Sequence, residues 1–371
     1  MPCGLRSLTH LAMTDAAGQV AIQVVSNGEL RADGDARARA KLSDEKRSAL
    51  LANPLLGGDD EPVRLFALVG SRQVGGIDLV AGELETPNGS QRVFWGSALW
   101  VGPESRGRGL GGTLLRHAES FGGVAAACAP SRMSLPLYRQ LGYVDLDLRR
   151  HVLVKRVAPL VVPRLGARAG GAVASVGELA LRAQRALFGV AGGARSGGAL
   201  EATPATAFPP ELEPQLALER APYAPHRSAA WLDWIVRESF YGDDHRRELR
   251  LVRSAGGDVL GYLVVKARRY SGVTRWQVEN LYLGSLVDWQ VFEPRALSFE
   301  QLVRLAVEAL DGWGVDAIEV CLPPGERARL LRLGFVPAGA QHVVCRREGQ
   351  DLPSDPAAWT LRPGEGDHAF S

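Results

Sequence analysis

The sequence predicts a mixed α/β (α+β) chain of two tandem domains, each a mixed, mostly antiparallel central sheet flanked by helices. Three observations carry this reading. The 371 residues are too many for one ordinary core. Both halves contain short apolar runs joined by turn residues, followed by runs of helical spacing. Pieces of the first half also recur in degraded form in the second, as a tandem duplication would leave them.

Taken in order, residues 1–18 are a polar N-terminal extension and residues 19–155 the first domain. Residues 20–25 read as a short strand, and residues 33–51 as one or two helices. Residues 63–69 and 75–81 are strands joined by Gly70-Ser71-Arg72-Gln73, which makes a hairpin. A second turn, Thr86-Pro87-Asn88-Gly89-Ser90, leads into the apolar strand 93–101, and Asn-Gly is a strong hairpin signal. An amphipathic helix starts at Leu110, residues 123–129 form a buried strand, and a short helix and strand close the unit.

Composition limits the classes of function. Hydrophobic content of 46% and charged content of 23% are those of a globular protein. A net charge of +2 gives no global attraction to nucleic acid. Only four of the basic residues are lysines, and composition bias accounts for that. Cys3, Cys128, Cys321 and Cys345 lie far apart without a Cys-x-x-Cys pair, which argues against a zinc site or disulfide framework and suits a reducing compartment. No metal is expected. No signal-peptide core or membrane-length apolar run is evident, so a cytoplasmic location is expected.

Between strand 93–101 and the helix that follows lie glycines 107, 109, 111 and 112, with Arg106 and Arg108 interleaved. Strand, glycine-rich turn and helix N-terminus together suit a phosphate, because bare backbone N–H groups crowd the anion and the helix dipole favours it. No Gly-Lys-Ser/Thr closes the turn, so it is not a P-loop. No βαβ unit with an acidic second strand follows, so it is not a dinucleotide fingerprint.

Arg106-Gly107-Arg108-Gly109-Leu110-Gly111 resembles the acyl-CoA signature Arg/Gln-x-x-Gly-x-Gly/Ala of the GNAT acetyltransferase superfamily, and Val101-Gly102-Pro103-Glu104-Ser105-Arg106-Gly107 resembles its lead-in. Leu137-Tyr138-Arg139-Gln140-Leu141-Gly142-Tyr143 resembles a second motif of that family. The likeness covers about residues 60–150 at motif level. It implies acetyl-CoA or another acyl-CoA as co-substrate, with the pantetheine arm along Leu99, Trp100 and Val101. It further implies the pyrophosphate on backbone amides from Arg106 through Gly107, Arg108, Gly109, Leu110 and Gly111 to Gly112, and Tyr138 as general acid for the departing sulfur. The expected activity is N-acyltransfer to an amine of a small molecule or saccharide precursor.

Two departures from the family pattern stand out. Residues 93–101 contain no Asp, Glu or His to act as base, which leaves Asp78, Glu83, Glu85 or a water on Ser97. The asparagine that relatives place seven residues before the tyrosine is Ser131 here, a weaker cofactor contact. His117 reads as a packing residue. The absent base keeps open a non-catalytic CoA-binding sensor or scaffold. An aminoacyl transferase of the peptidoglycan-bridge type also pairs such folds, but has no need of the loop.

Residues 156–210 form a Pro/Ala/Gly/Arg-rich linker, with an amphipathic helix over 173–190 expected to pack between domains; the alternative for such a basic helix is a membrane surface. Residues 211–348 are the degenerate GNAT-like domain, with strands at 248–252, 259–265, 276–283 and 317–323 and a helix at 299–310. Its segment 284–294 lacks a glycine–arginine loop, and Leu330 stands at the tyrosine position, so no CoA chemistry is expected there. Trp231, Trp234, Asp288 and Trp289 are candidates to line a substrate cleft. Residues 349–371 are a C-terminal tail expected to dock through Trp359 and Phe370.

Overall fold

The computed structural model describes residues 11–15, 18–32, 42–188, 200–217, 221–238, 240, 245–270, 280–323 and 327–364. The first half contains strands β1 (Leu11–Asp15), β2 (Gly18–Ser26), β3 (Pro62–Val69), β4 (Arg72–Thr86), β5 (Gly89–Val101), β6 (Val124–Cys128) and β7 (Val144–Val154). The second contains β8 (Glu201–Ala205), β9 (Ala224–Pro225), β10 (His245–Arg253), β11 (Val259–Tyr270), β12 (Leu281–Val291), β13 (Ala317–Leu322) and β14 (Val336–Arg346). The hairpins expected at residues 70–73 and 86–90 are present, with β4 pairing antiparallel to β3 and β5.

These strands form one 14-stranded mixed sheet, in the order β1-β2-β3-β4-β5-β6-β14-β7-β13-β12-β11-β10-β8, with β9 on the edge of β4. Among the described pairs only β5·β6 and β12·β13 are parallel. The halves exchange their last strands. β14 inserts between β6 and β7, aligning Val343 with Cys128 on one side and Leu146 on the other. β7 pairs with β13 in turn, His151 opposite Val320.

Helices cover both faces. Helix Leu110–Glu119 buries Leu114 and Leu115 against Ile77, Leu79, Phe94 and Tyr138. The other face of the same strands presents Val80, Leu84 and Trp95 to helices Asp44–Leu51 and Ala229–Arg237. Trp234 joins those two helices by donating its indole N–H to the Ala49 carbonyl at 2.8 Å. Helix Phe299–Gly312 packs on β11 and β12 in the second half and starts at a capping box, Ser298 with Gln301.

Several expectations need correction. Residues 201–205, read as linker, are strand β8; it is an edge strand, where Pro204 is tolerated because no inner ladder needs its amide. β12 runs to Val291, well past the expected end at 283, whereas 271–279 lie outside the described residues. The linker helix spans Ala158–Phe188, broken at Gly166 (φ 76°, ψ 166°). Asp288 lines no cleft: it is fully buried, accepting from Arg227 Nε at 2.9 Å and from the Tyr262 hydroxyl at 2.7 Å. Trp359 docks the tail, buried with its ring tilted against Tyr223 at 4.8 Å, whereas Phe370 lies outside the described residues. Cys128, Cys321 and Cys345 are buried free thiols; Cys3 is not among the described residues.

Candidate functional site

The parallel ladder between β5 and β6 holds for three pairs, Val93 with Val124 through Trp95 with Ala126, and then ends. On the opposite edge, β4 pairs Asp78 with Ser97 and Gly76 with Trp100, so Ala98 and Leu99 together face Ile77. This is a β-bulge, with Ala98 held at φ 50°. The bulge bends β5 away from β6, and the end of the strand, including Leu99, Trp100 and Val101, has no ladder on the β6 side. Nothing in the sequence announces it, because alanine seldom marks a positive φ.

β5 ends where the Gly102 amide donates to the Val74 carbonyl at 2.8 Å. A short turn, Pro103–Ser105, follows, and the Arg106 amide closes it on the Pro103 carbonyl. Gly107 and Gly109 both adopt φ 76° and are exposed, with open space where a Cβ would stand. Gly109 is the N-cap of helix Leu110–Glu119 and brings no side-chain cap. The Thr113 amide, bonded to the Gly109 carbonyl, is the first to enter the helix. Among the described hydrogen bonds none is donated by the amides of Gly107 to Gly112, so the helix start keeps its orphan donors. Arg106 and Arg108 are exposed beside them, and Arg106 Nε donates to the Val101 carbonyl at 3.2 Å.

The four glycines therefore do different work. Gly107 and Gly109 permit the left-handed turn. Gly111 permits contact, since a Cβ there would lie 2.9 Å from Leu137 Cδ2 of helix Leu135–Gln140; Gly112 is buried behind it. Ser131 is exposed, and its hydroxyl is engaged locally with Ser134, Oγ to Oγ at 3.0 Å.

Tyr138 is 3% exposed, with its ring edge-on to Tyr143 at 5.0 Å. Its hydroxyl reaches β5 where the ladder stops: a Cβ on Gly96 would stand 3.6 Å from it. Tyr143 hydrogen-bonds Glu119; burial first, then Glu119 and Tyr138, push its pKa far above the usual phenol range. His117 packs edge-on to Phe121 at 5.6 Å, and burial lowers its pKa.

Each carboxylate considered as a base meets an obstacle. Asp78 stands directly across from Ser97, but Lys46 Nζ holds it at 2.5 Å and Arg64 Nε at 2.7 Å, all three buried. Glu83 and Glu85 pair with Arg92 and Ser90, about 17 Å or more along β5 from Ser97 at a strand's rise per residue. Glu85 instead meets His226 Nδ1 at 3.1 Å, a partner that sequence reading missed because it lies 141 positions away. His226, Glu83, Trp95, Trp231 and Trp234 line a small cavity.

The second half repeats the opening and closes it. β12 pairs with β13 over three positions, Leu283 with Ala317 to Ser285 with Glu319. It too bulges, placing Leu286 to Asp288 opposite Val265 and Val264. Here the chain's own tail fills the edge. The Gly364 amide donates to the Val287 carbonyl at 2.9 Å, and Arg362 Nε to the Trp289 carbonyl at 3.1 Å. Leu330, at the tyrosine position, is fully buried.

A scan of family models finds none that matches, and a search of curated proteins finds no match. Solved structures do match at the level of fold. Saccharomyces cerevisiae N-myristoyltransferase with bound myristoyl-CoA aligns over 92% of this chain and 81% of its own, at 12% identity and TM-score 0.59. A GCN5-related N-acetyltransferase from Anabaena variabilis aligns over 88% of this chain and 72% of its own, at 13% identity and TM-score 0.52. The chain thus shares the fold of GNAT-type acyltransferases: a mixed central sheet flanked by helices. No helix among the described residues is long and apolar enough to cross a membrane.

Proposed function

We propose that the chain is an acyl-CoA-dependent N-acyltransferase, acting from acetyl-CoA or a related acyl-CoA on an amine of a small molecule or saccharide precursor in the cytoplasm. One observation carries the reading: a bulged strand end without a ladder runs into a glycine turn whose amides have no acceptor among the described hydrogen bonds. Those two features suit, respectively, an amide-bearing pantetheine arm and a diphosphate. When bound, the co-substrate supplies an activated acyl thioester. Leu99, Trp100 and Val101 would orient its arm; the amides from Gly107 to Gly112, with Arg106 and Arg108, would take its phosphates. Tyr138 Oη, at the point where β5 leaves β6, would hold the proton that a departing thiolate needs. Residues 19–155 would form the acyl-CoA domain and 211–348 the degenerate one, with 156–210 between them.

A second reading, a CoA-binding sensor or scaffold, is favoured by the engagement of Asp78 with Lys46 and Arg64. The glycine loop counts against the peptidoglycan-bridge type of aminoacyl transferase. Thermal shift with acetyl-CoA at ~100 times Kd is expected to add about 2.7 kcal/mol of stability. Thiol release with an amine panel then separates enzyme from sensor; a flat panel with intact binding favours the sensor. Tyr138→Phe is expected to lower turnover about 100-fold with acetyl-CoA affinity unchanged. Lost affinity would instead make the tyrosine a packing residue.

A further inference from the structure

The helix Ala158–Phe188 carries an outward face that the described chain leaves bare. After the break at Gly166, its longer segment folds back on the shorter one through glycines. A Cβ at Gly170 would lie 2.6 Å from Val162 Cα, and one at Gly177 2.9 Å from Val157 Cγ1. Ala174, buried, lies on this inner side. At about 100° per residue, the opposite side gathers Val173, Val176, Leu179 and the alanines at 169, 172, 180 and 183 within an arc of roughly 120°. All seven are exposed, Val176 at 71% and Leu179 at 67%. A water-facing helix ordinarily carries its charges there.

Charge identifies the occupant. Arg168, Ser175 and Arg182, all exposed, border one edge of the stripe. Glu178, the single carboxylate of this helix, turns inward and accepts from the Val157 amide at 2.6 Å. The outward surface is therefore apolar with a cationic margin and no acid.

We propose that this face docks on an anionic lipid surface. The helix would lie in the headgroup plane with Val173, Val176 and Leu179 towards the acyl chains and Arg168 and Arg182 at phosphate level. A second copy of the chain fits less well. The stripe is about 22 Å long and about 10 Å wide, so two such faces would bury roughly 450 Å², against the ~1,200 Å² of stable interfaces.

The test is co-sedimentation of the full chain with phosphatidylcholine vesicles, with and without phosphatidylglycerol. Binding to the anionic vesicles, weakening with salt, is expected. Val176→Ser with Leu179→Ser should lower the partition at least about tenfold, and Arg168→Gln or Arg182→Gln about fivefold each, on anionic vesicles only. All four side chains are exposed, so the fold should persist, as circular dichroism would verify. No binding to anionic vesicles, or binding indifferent to the serine pair, overturns the proposal. So does a lipid-free dimer that the serine pair turns into a monomer, which would assign the stripe to a second copy.

Discussion

The far ends of β5 and β12 begin alike and finish differently. Each runs parallel to a neighbour for three residue pairs, bulges and turns away, exposing an edge of backbone. Beyond β5 comes an uncapped helix start with glycine at its N-cap. Beyond β12 comes a capping box, and the strand's carbonyls are met by Arg362 and Gly364. The lesson is that an opened strand edge is not yet a binding site. It is a candidate for one only where its polar groups, and those of the following helix, find no partner among the described residues.

Substitutions can break or sharpen this contrast. The largest effect is expected behind the two strands, where each half buries an acid. Asp78→Ala strands two buried cations, Lys46 and Arg64, and should cost about 3–5 kcal/mol in urea unfolding. Asp288→Ala takes the carboxylate from Arg227, which keeps the Pro225 carbonyl, and takes that acceptor from the Tyr262 hydroxyl, so it should cost less. Equal costs would mean that the second cation beside Asp78 adds nothing. Next, Gly109→Val puts a β-branched residue at φ 76° and should weaken acetyl-CoA about 100-fold by calorimetry, or about 2.7 kcal/mol. Ser298→Ala, at the matching position of the second half, should cost about 1 kcal/mol of stability and leave acetyl-CoA affinity alone.

The smallest effect concerns pH. Burial lowers the His117 pKa from 6.5, so the unfolded chain takes up that proton more readily than the folded one. Its contribution to stability is present above the unfolded pKa and lost as pH falls through the folded one. Urea unfolding of the chain and of His117→Gln on either side of that window should show a shallower acid slope for the variant.

Local signals carried much of this fold. Asn88-Gly89 announces its hairpin, the alternating runs give the strands, and the glycine–arginine turn lies between strand and helix as expected. What escaped detection was either unsignalled or long-range. Ala98 adopts a positive φ because β4 and β5 fall out of step, which no residue type records. Pro204 disguises β8 as linker. The glycines at 111 and 112 look chosen for the turn alone, but the bare Cα of the first also makes room for Leu137 and the second is buried. Asp78 looks available as a base until Lys46, 32 positions earlier, folds over it.

The exchange of β7 and β14 has a consequence for synthesis. During translation β6 emerges more than two hundred residues before the strand that covers its edge. Until residue 346 leaves the ribosome, the nascent first half displays an apolar strand with one open edge, which can recruit a neighbouring polysome product or a chaperone. A product that stops anywhere before β14 therefore lacks the strand that joins β6 to β7, so the sheet of the first half is completed only after the second half has been made.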